Sequence, residues 1–206
     1  MTTAVAAPHL IRLERVSPMW AAAVWLATLA LRATLAIAGA IFLFVHFPQG
    51  ELGISEHPIA HAAGLLPAAV LAGSVMWLLF AVTRSRLALA RLLSGTIGEG
   101  PAGSTIVHDS GLLVAATRLG RPRVVVSDAA LDAMDPDEVR ASLAHEIGHL
   151  HRWHRPILLA ASVLAAVGRV LPGTQAVRHE LQFQLERDAD EFAVSRTSDP
   201  LALATH

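Results

Sequence analysis

Two long apolar runs, residues 19–47 and 59–82, constrain this chain more than any other feature, because each is long enough to cross a bilayer as a helix. A helix satisfies its own backbone hydrogen bonds, so the runs predict a pair of membrane helices rather than strands or loops. The first run is much longer than a signal-peptide core and lacks an obvious small-residue cleavage site, so it reads as retained. Arg32 interrupts it. A cation at mid-membrane costs about 2.5–3.5 kcal/mol, so Arg32 is expected to face protein, a water-filled cavity or an interface. Composition agrees: 53% hydrophobic and 16% charged residues are too apolar for an ordinary soluble domain. A net charge of −1 gives no basis for a nucleic-acid partner, and the absence of cysteine excludes disulfides and thiolate ligands.

Arg12 and Arg15, in the polar lead of residues 1–18, precede the first run, and Arg84, Arg86 and Arg91 follow the second. By the positive-inside rule both ends of the pair face the cytoplasm, so residues 1–91 read as a transmembrane hairpin, with residues 48–58 as its loop. Gly64, Ala68, Ala69, Ala72 and Gly73 offer small residues for close packing of a neighbouring helix. Residues 92–103, with Gly95, Gly98, Gly100, Pro101 and Gly103, read as a flexible linker, and residues 104–206 as the second domain. Within it, 104–107 and 112–116 flank His108-Asp109-Ser110-Gly111 as a hairpin, with 124–127 as a third strand. Val124, Val125 and Val126 have two readings. They form either a buried strand or an exposed edge that pairs with an extended peptide, and as an edge they are the substrate-binding residues.

The chemistry concentrates in His145-Glu146-Ile147-Gly148-His149. Histidines four apart on a helix share a face, so two imidazoles can converge on one metal ion. Glu146 beside them can take a proton from a water whose pKa zinc lowers toward about 7. Asp135 as N-cap, Pro136 in the first turn and Glu138 as the reciprocal cap specify where this helix starts. Val139, Leu143, Ile147 and Leu150 form the apolar stripe opposite the histidines. The helix is expected to stop near Arg155, before Pro156. His151 and His154 read first as cations favoured by the helix C-terminus, with a ligand role as the lesser alternative.

A third ligand comes from Glu186-Arg187-Asp188-Ala189-Asp190-Glu191. Its helix buries Val177, Leu181, Leu185 and Phe192 on one side and can offer Glu186 to the metal, while Asp190, one turn on, can accept a hydrogen bond from a ligand histidine and fix its tautomer. His145, His149 and Glu186 then make the three-ligand set of a catalytic zinc with one open position, one ion per chain. Residues 157–171 are apolar but too short to cross a bilayer, so they predict a buried or membrane-dipping helix that returns through Pro172-Gly173. A full crossing would put Glu186 on the opposite side from the pentad.

The order of Pro122-Arg123-Val124-Val125-Val126-Ser127, Leu131-Asp132-Ala133-Met134-Asp135-Pro136-Asp137-Glu138-Val139 and Ala144-His145-Glu146-Ile147-Gly148-His149 resembles integral-membrane gluzincin peptidases of the HtpX and BlaR/MecR types. The later Glu186-x-x-x-Asp190-Glu191 resembles the BlaR/MecR branch more closely. The resemblance spans roughly residues 104–195 and implies His145, His149 and Glu186 as zinc ligands and Glu146 as general base. There are two departures. Ala115-Ala116-Thr117-Arg118 stands where HtpX-type proteases tend to carry Asn-Ala, and 206 residues are not expected to include the extracellular domain of the BlaR/MecR-type sensors. A β-lactam sensor role is therefore not expected.

The fold expected is a mainly α membrane protein, a two-helix transmembrane hairpin followed by an α+β zincin-like catalytic domain with a small β-sheet. The function expected is a zinc-dependent endopeptidase of the plasma membrane, acting from the cytoplasmic side on membrane or regulatory proteins. Its partners are a protein or peptide substrate and the lipid bilayer. The rival is a non-catalytic sensing or docking module with the same fold.

Overall fold

The computed structural model describes residues 16–46, 58–117 and 123–196. The expected polar lead up to residue 15, the loop over 48–57, Arg118 and the tail over 197–206 lie outside the described residues. Two long helices, α1 (Pro18–His46) and α2 (Pro58–Ser94), come first. The strands β1 (Thr96–Glu99), β2 (Thr105–Val107), β3 (Val114–Thr117) and β4 (Arg123–Ser127) follow, then the helices α3 (Asp128–Ala133), α4 (Pro136–His151), α5 (His154–Val167) and α6 (Thr174–Val194). The protein is therefore mostly helical with a small mixed sheet. The described residues divide into two compact units, one of those up to Ala81 with Leu158–Gln182, the other of those in Val82–Ile157 and from Phe183 on.

The first unit holds α1 and the part of α2 up to Ala81. The segments Pro18–Leu43 and Ala68–Ser94 are long and apolar enough to cross a membrane. On α1 a helical stripe of Ala22, Trp25, Leu29, Ala33 and Ala36 is buried, while Trp20, Leu31, Leu35, Ile41 and Phe42 are exposed. Contiguous exposed apolar surface of this kind is what lipid covers. The α2 helix, with 37 residues at about 1.5 Å per residue, is longer than the ~30 Å bilayer core, so its basic C-terminal turns can lie beyond it. The small residues Ala68, Ala69, Ala72 and Gly73 are exposed, and a Cβ on Gly73 would meet nothing within 4 Å. The expected close packing along them is therefore not made by the described residues.

The 157–171 segment also corrects the domain boundary. Leu158–Gln182 groups with the residues up to Ala81 and not with the rest of the expected second domain. The α5 helix ends in a 3₁₀ turn at Gly168–Val170, and the chain reverses at Pro172-Gly173, where Gly173 has φ of 82°. That left-handed angle suits glycine. Arg32 fastens this reversal: its Nε donates to Thr174 Oγ1 at 2.9 Å, and a second guanidinium nitrogen donates to the carbonyl of Pro172. The mid-helix cation thus faces protein, with hydrogen bonds in place of water.

The second unit is built on a sheet of order β1-β2-β4-β3. The β1–β2 and β3–β4 pairs are antiparallel and β2–β4 is parallel. Two expectations change here. Residues 92–103 are not a linker, because α2 continues to Ser94 and Thr96–Glu99 pairs with β2 through a bulge between Thr96 and Gly98. Nor do β2 and β3 form a hairpin, since β4 lies between them. The intervening loop is pinned to the end of β4: Ser127 Oγ donates to Gly111 O at 2.7 Å and accepts from Leu113 N at 3.0 Å. The backbone N–H of Asp109 donates to Asp128 Oδ1 at 3.1 Å. Four polar contacts are thereby met by two side chains, as Ser127 also caps α3 by accepting from Ala130 N at 3.1 Å.

The core of this unit packs Val124 and Val126 of β4 and Ala130 of α3 against Val139 and Leu143 of α4, with Ile147 and Leu150 beside them. The stripe on α4 is thus the one its sequence predicts. Its start is as expected too, with Asp135 N donating to Glu138 Oε2 at 2.9 Å in a capping box. Its end is earlier than expected. The helix stops at His151, Trp153 takes φ of 60°, and Pro156 sits in the first turn of α5, where a proline lacks no needed hydrogen bond.

Candidate metal centre

The two histidines of the pentad leave the same face of α4, and Glu186 reaches them from α6. Nε2 of His145 and Nε2 of His149 are 3.0 Å apart. Glu186 Oε2 lies 3.4 Å from the first and 3.3 Å from the second. Among the described residues this is the group able to hold a metal ion. Ligand atoms about 2.0–2.1 Å from a tetrahedral zinc stand roughly 3.3 Å from one another, so the triangle has the size such an ion requires. Two neutral imidazoles and one carboxylate are also a donor set suited to zinc.

Close approach of α4 and α6 sets this geometry. A Cβ on Gly148 would lie 3.1 Å from Phe192, so the glycine between the histidines lets the helix carrying Glu186 pack directly against the pentad. His151 is not among the three ligand side chains, and its ring lies 5.7 Å from that of Phe192.

Each histidine is held from behind. Nδ1 of His145 is 2.9 Å from Asp190 Oδ1, the contact predicted from the spacing of Glu186 and Asp190. Nδ1 of His149 is 2.9 Å from Nδ1 of His154, whose Nε2 is 3.0 Å from Asp188 Oδ2. His154 is therefore no solvated cation at a helix end. It begins α5, is fully buried, and burial pushes its imidazole below the ordinary histidine value. Sequence reasoning missed both His154 and Asp188.

The charges of the three side chains compensate each other. Hydrogen bonds from His145 and His149 hold the Glu186 carboxyl far below the usual range. The hydrogen bond to Glu186 raises His145 above the ordinary histidine value against the opposing effect of burial.

Glu146 points to one side of the ligand triangle, where its Oε2 accepts from the backbone N–H of Ala116 at 2.5 Å. It lines a cleft of about 450 Å³ with Leu112, Val114, Met134, Ser142, His145 and Asp190. The strand bordering this cleft is β3. Val124, Val125 and Val126 do not border it: β4 is flanked on both sides, and the three valines are 5%, 1% and 0% exposed. Their expected role in pairing with substrate is corrected accordingly, because no backbone edge of β4 is free for a peptide.

The H-E-x-x-H helix, the glutamate from a second helix and the adjoining sheet bring together a group that could hold a metal ion. Residues 114–200 match the model of peptidase family M48, a stretch that begins at β3 and takes in the whole centre. The match agrees with the resemblance of this stretch to membrane gluzincins. No curated protein matches the chain.

Proposed function

We propose that this protein is a membrane-bound, zinc-dependent endopeptidase in which His145, His149 and Glu186 hold the ion and Glu146 is the general base. The observation that carries the reading is the triangle of three ligand atoms, 3.0–3.4 Å on a side, beside a carboxylate in an open cleft. When bound, zinc would polarise the scissile carbonyl and make the attacking water more acidic. Glu146 takes the proton of that water and returns it to the leaving amine. The peptide lies along β3. The Ala116 N–H points away from β4, toward Glu146, which makes Ala116 and Val114 the residues with outward backbone groups in this antiparallel pair. An extended substrate adding to that edge brings its carbonyl to the cleft.

The basic residues flanking α1 and α2 support a cytoplasmic active site by the positive-inside rule. Membrane or regulatory proteins are the proposed substrates, on the strength of the family resemblance. The test is cleavage of an unfolded protein substrate by detergent-purified, zinc-loaded chain. Glu146→Gln is expected to abolish cleavage while keeping the ion. Unchanged cleavage by that variant would contradict the mechanism, and a wild type inert toward every peptide tested would favour the docking module.

A further inference from the structure

His149 presents Nε2 to the ligand triangle and turns Nδ1 toward His154, 2.9 Å away. His154 Nε2 in turn faces Asp188 Oδ2 at 3.0 Å. His154 is 0% exposed and Asp188 is 4% exposed, so water does not compete for these contacts. Two ring nitrogens facing each other share one proton, and the row of groups decides which ring carries it. His149 can ligate through Nε2 only with its proton on Nδ1, so it donates to His154. His154 Nδ1 must then accept, which puts the proton of that ring on Nε2, against a carboxylate oxygen that accepts it. The opposite order would set a bare ring nitrogen against a carboxylate oxygen in a buried place, two acceptors with no proton between them.

We propose that His154 and Asp188 are positioning residues, a buried relay that locks His149 in the Nδ1–H tautomer and aims its Nε2 lone pair at the cation. The proposal rests on the reading of His145, His149 and Glu186 as the zinc site. It gives the two ligand histidines separate supports. Asp190 serves His145 from a side chain that is 56% exposed, whereas His149 depends on two groups removed from solvent.

The test is zinc affinity of the full chain in detergent, by competition with a chromophoric chelator, with circular dichroism and thermal unfolding of the metal-free samples alongside. His154→Leu fills the space without donor or acceptor. His154→Gln can turn a carbonyl oxygen to His149 and an amide N–H to Asp188, so it restores the polarity without the ring. The relay predicts a loss of about ten- to hundredfold in His154→Leu and recovery to within about threefold in His154→Gln. A folded His154→Leu with wild-type affinity overturns the relay, and so does a folded His154→Gln as weak as His154→Leu. If His154→Leu fails to fold, Asp188→Ala takes its place, with a tenfold or greater loss expected and wild-type affinity decisive against the relay. A wild type that binds no zinc, or binds it equally well after Glu186→Ala, defeats the site reading, and the relay with it.

Discussion

The two histidines of the pentad sit one helical turn apart, yet one is supported at the surface and the other in the interior. Behind His145 stands a single, largely exposed carboxylate; behind His149 stand an imidazole with no solvent exposure and a carboxylate whose side chain is 6% exposed. A surface support is replaceable, because water can take the place of a lost acceptor. A buried one is not, since its loss leaves a polar group unpaired away from solvent. Equivalent ligands can thus differ in how much of the fold each depends on.

Asp188→Ala should show the largest effect. It strands the Nε2–H of His154 and is expected to cost about 1–3 kcal/mol of stability in the metal-free protein, along with the loss of zinc affinity given above; denaturant unfolding without metal separates the two. Gly148→Ala comes next. Its new Cβ would lie 3.1–3.3 Å from atoms of Phe192, one turn beyond Asp188 on α6, so packing should lose about 1–3 kcal/mol. A zinc titration of the same variant checks whether Glu186 has moved with the helix. Asp190→Ala should weaken zinc binding less than tenfold, because water can serve His145 Nδ1. A larger loss for Asp190→Ala than for Asp188→Ala would invert the comparison.

The smallest effect concerns pH in the metal-free protein. Glu186 is lowered from 4.5, so its contribution to stability is present above about pH 4.5 and is lost as pH falls through its depressed folded value. His145 is raised from 6.5, so its contribution is present below about pH 6.5 and is lost as pH rises through its elevated folded value. Stability from this pair is therefore greatest between about pH 4.5 and 6.5 and declines on the alkaline side. The change should be modest, because the Glu186 side chain is 43% exposed and screened by water. Thermal unfolding of metal-free wild type against His145→Ala checks it. The same pH profile for both would contradict the assignment.

Local signals were the legible ones. The capping box at Asp135 and Glu138 and the stripe from Val139 to Leu150 act within one helix and stand as read, and the i, i+4 spacings put His145 and His149 on one face of α4 and bring Asp190 to His145. Pairing between distant strands was not legible. The β4 strand inserts between β2 and β3 because Ser127 and Asp128 bind the loop before β3, an arrangement that hydrophobic alternation does not encode. Residues 92–103 read as a linker because their glycines mask a short strand that exists only by pairing with β2. One signal for the buried relay was present. Asp188 falls on the face of α6 that carries Leu181, Leu185 and Phe192, and a carboxylate in such a stripe needs a buried partner. That the partner is His154 followed only once α4 ended at His151 and Trp153 turned the chain into α5.

The most direct test of the central claim is the metal content of detergent-purified protein, wild type beside Glu186→Ala. The account predicts one zinc per wild-type chain and its loss or sharp weakening in the variant. A wild type that cannot be loaded with zinc, or a variant that keeps it at full affinity, would contradict the three-ligand centre.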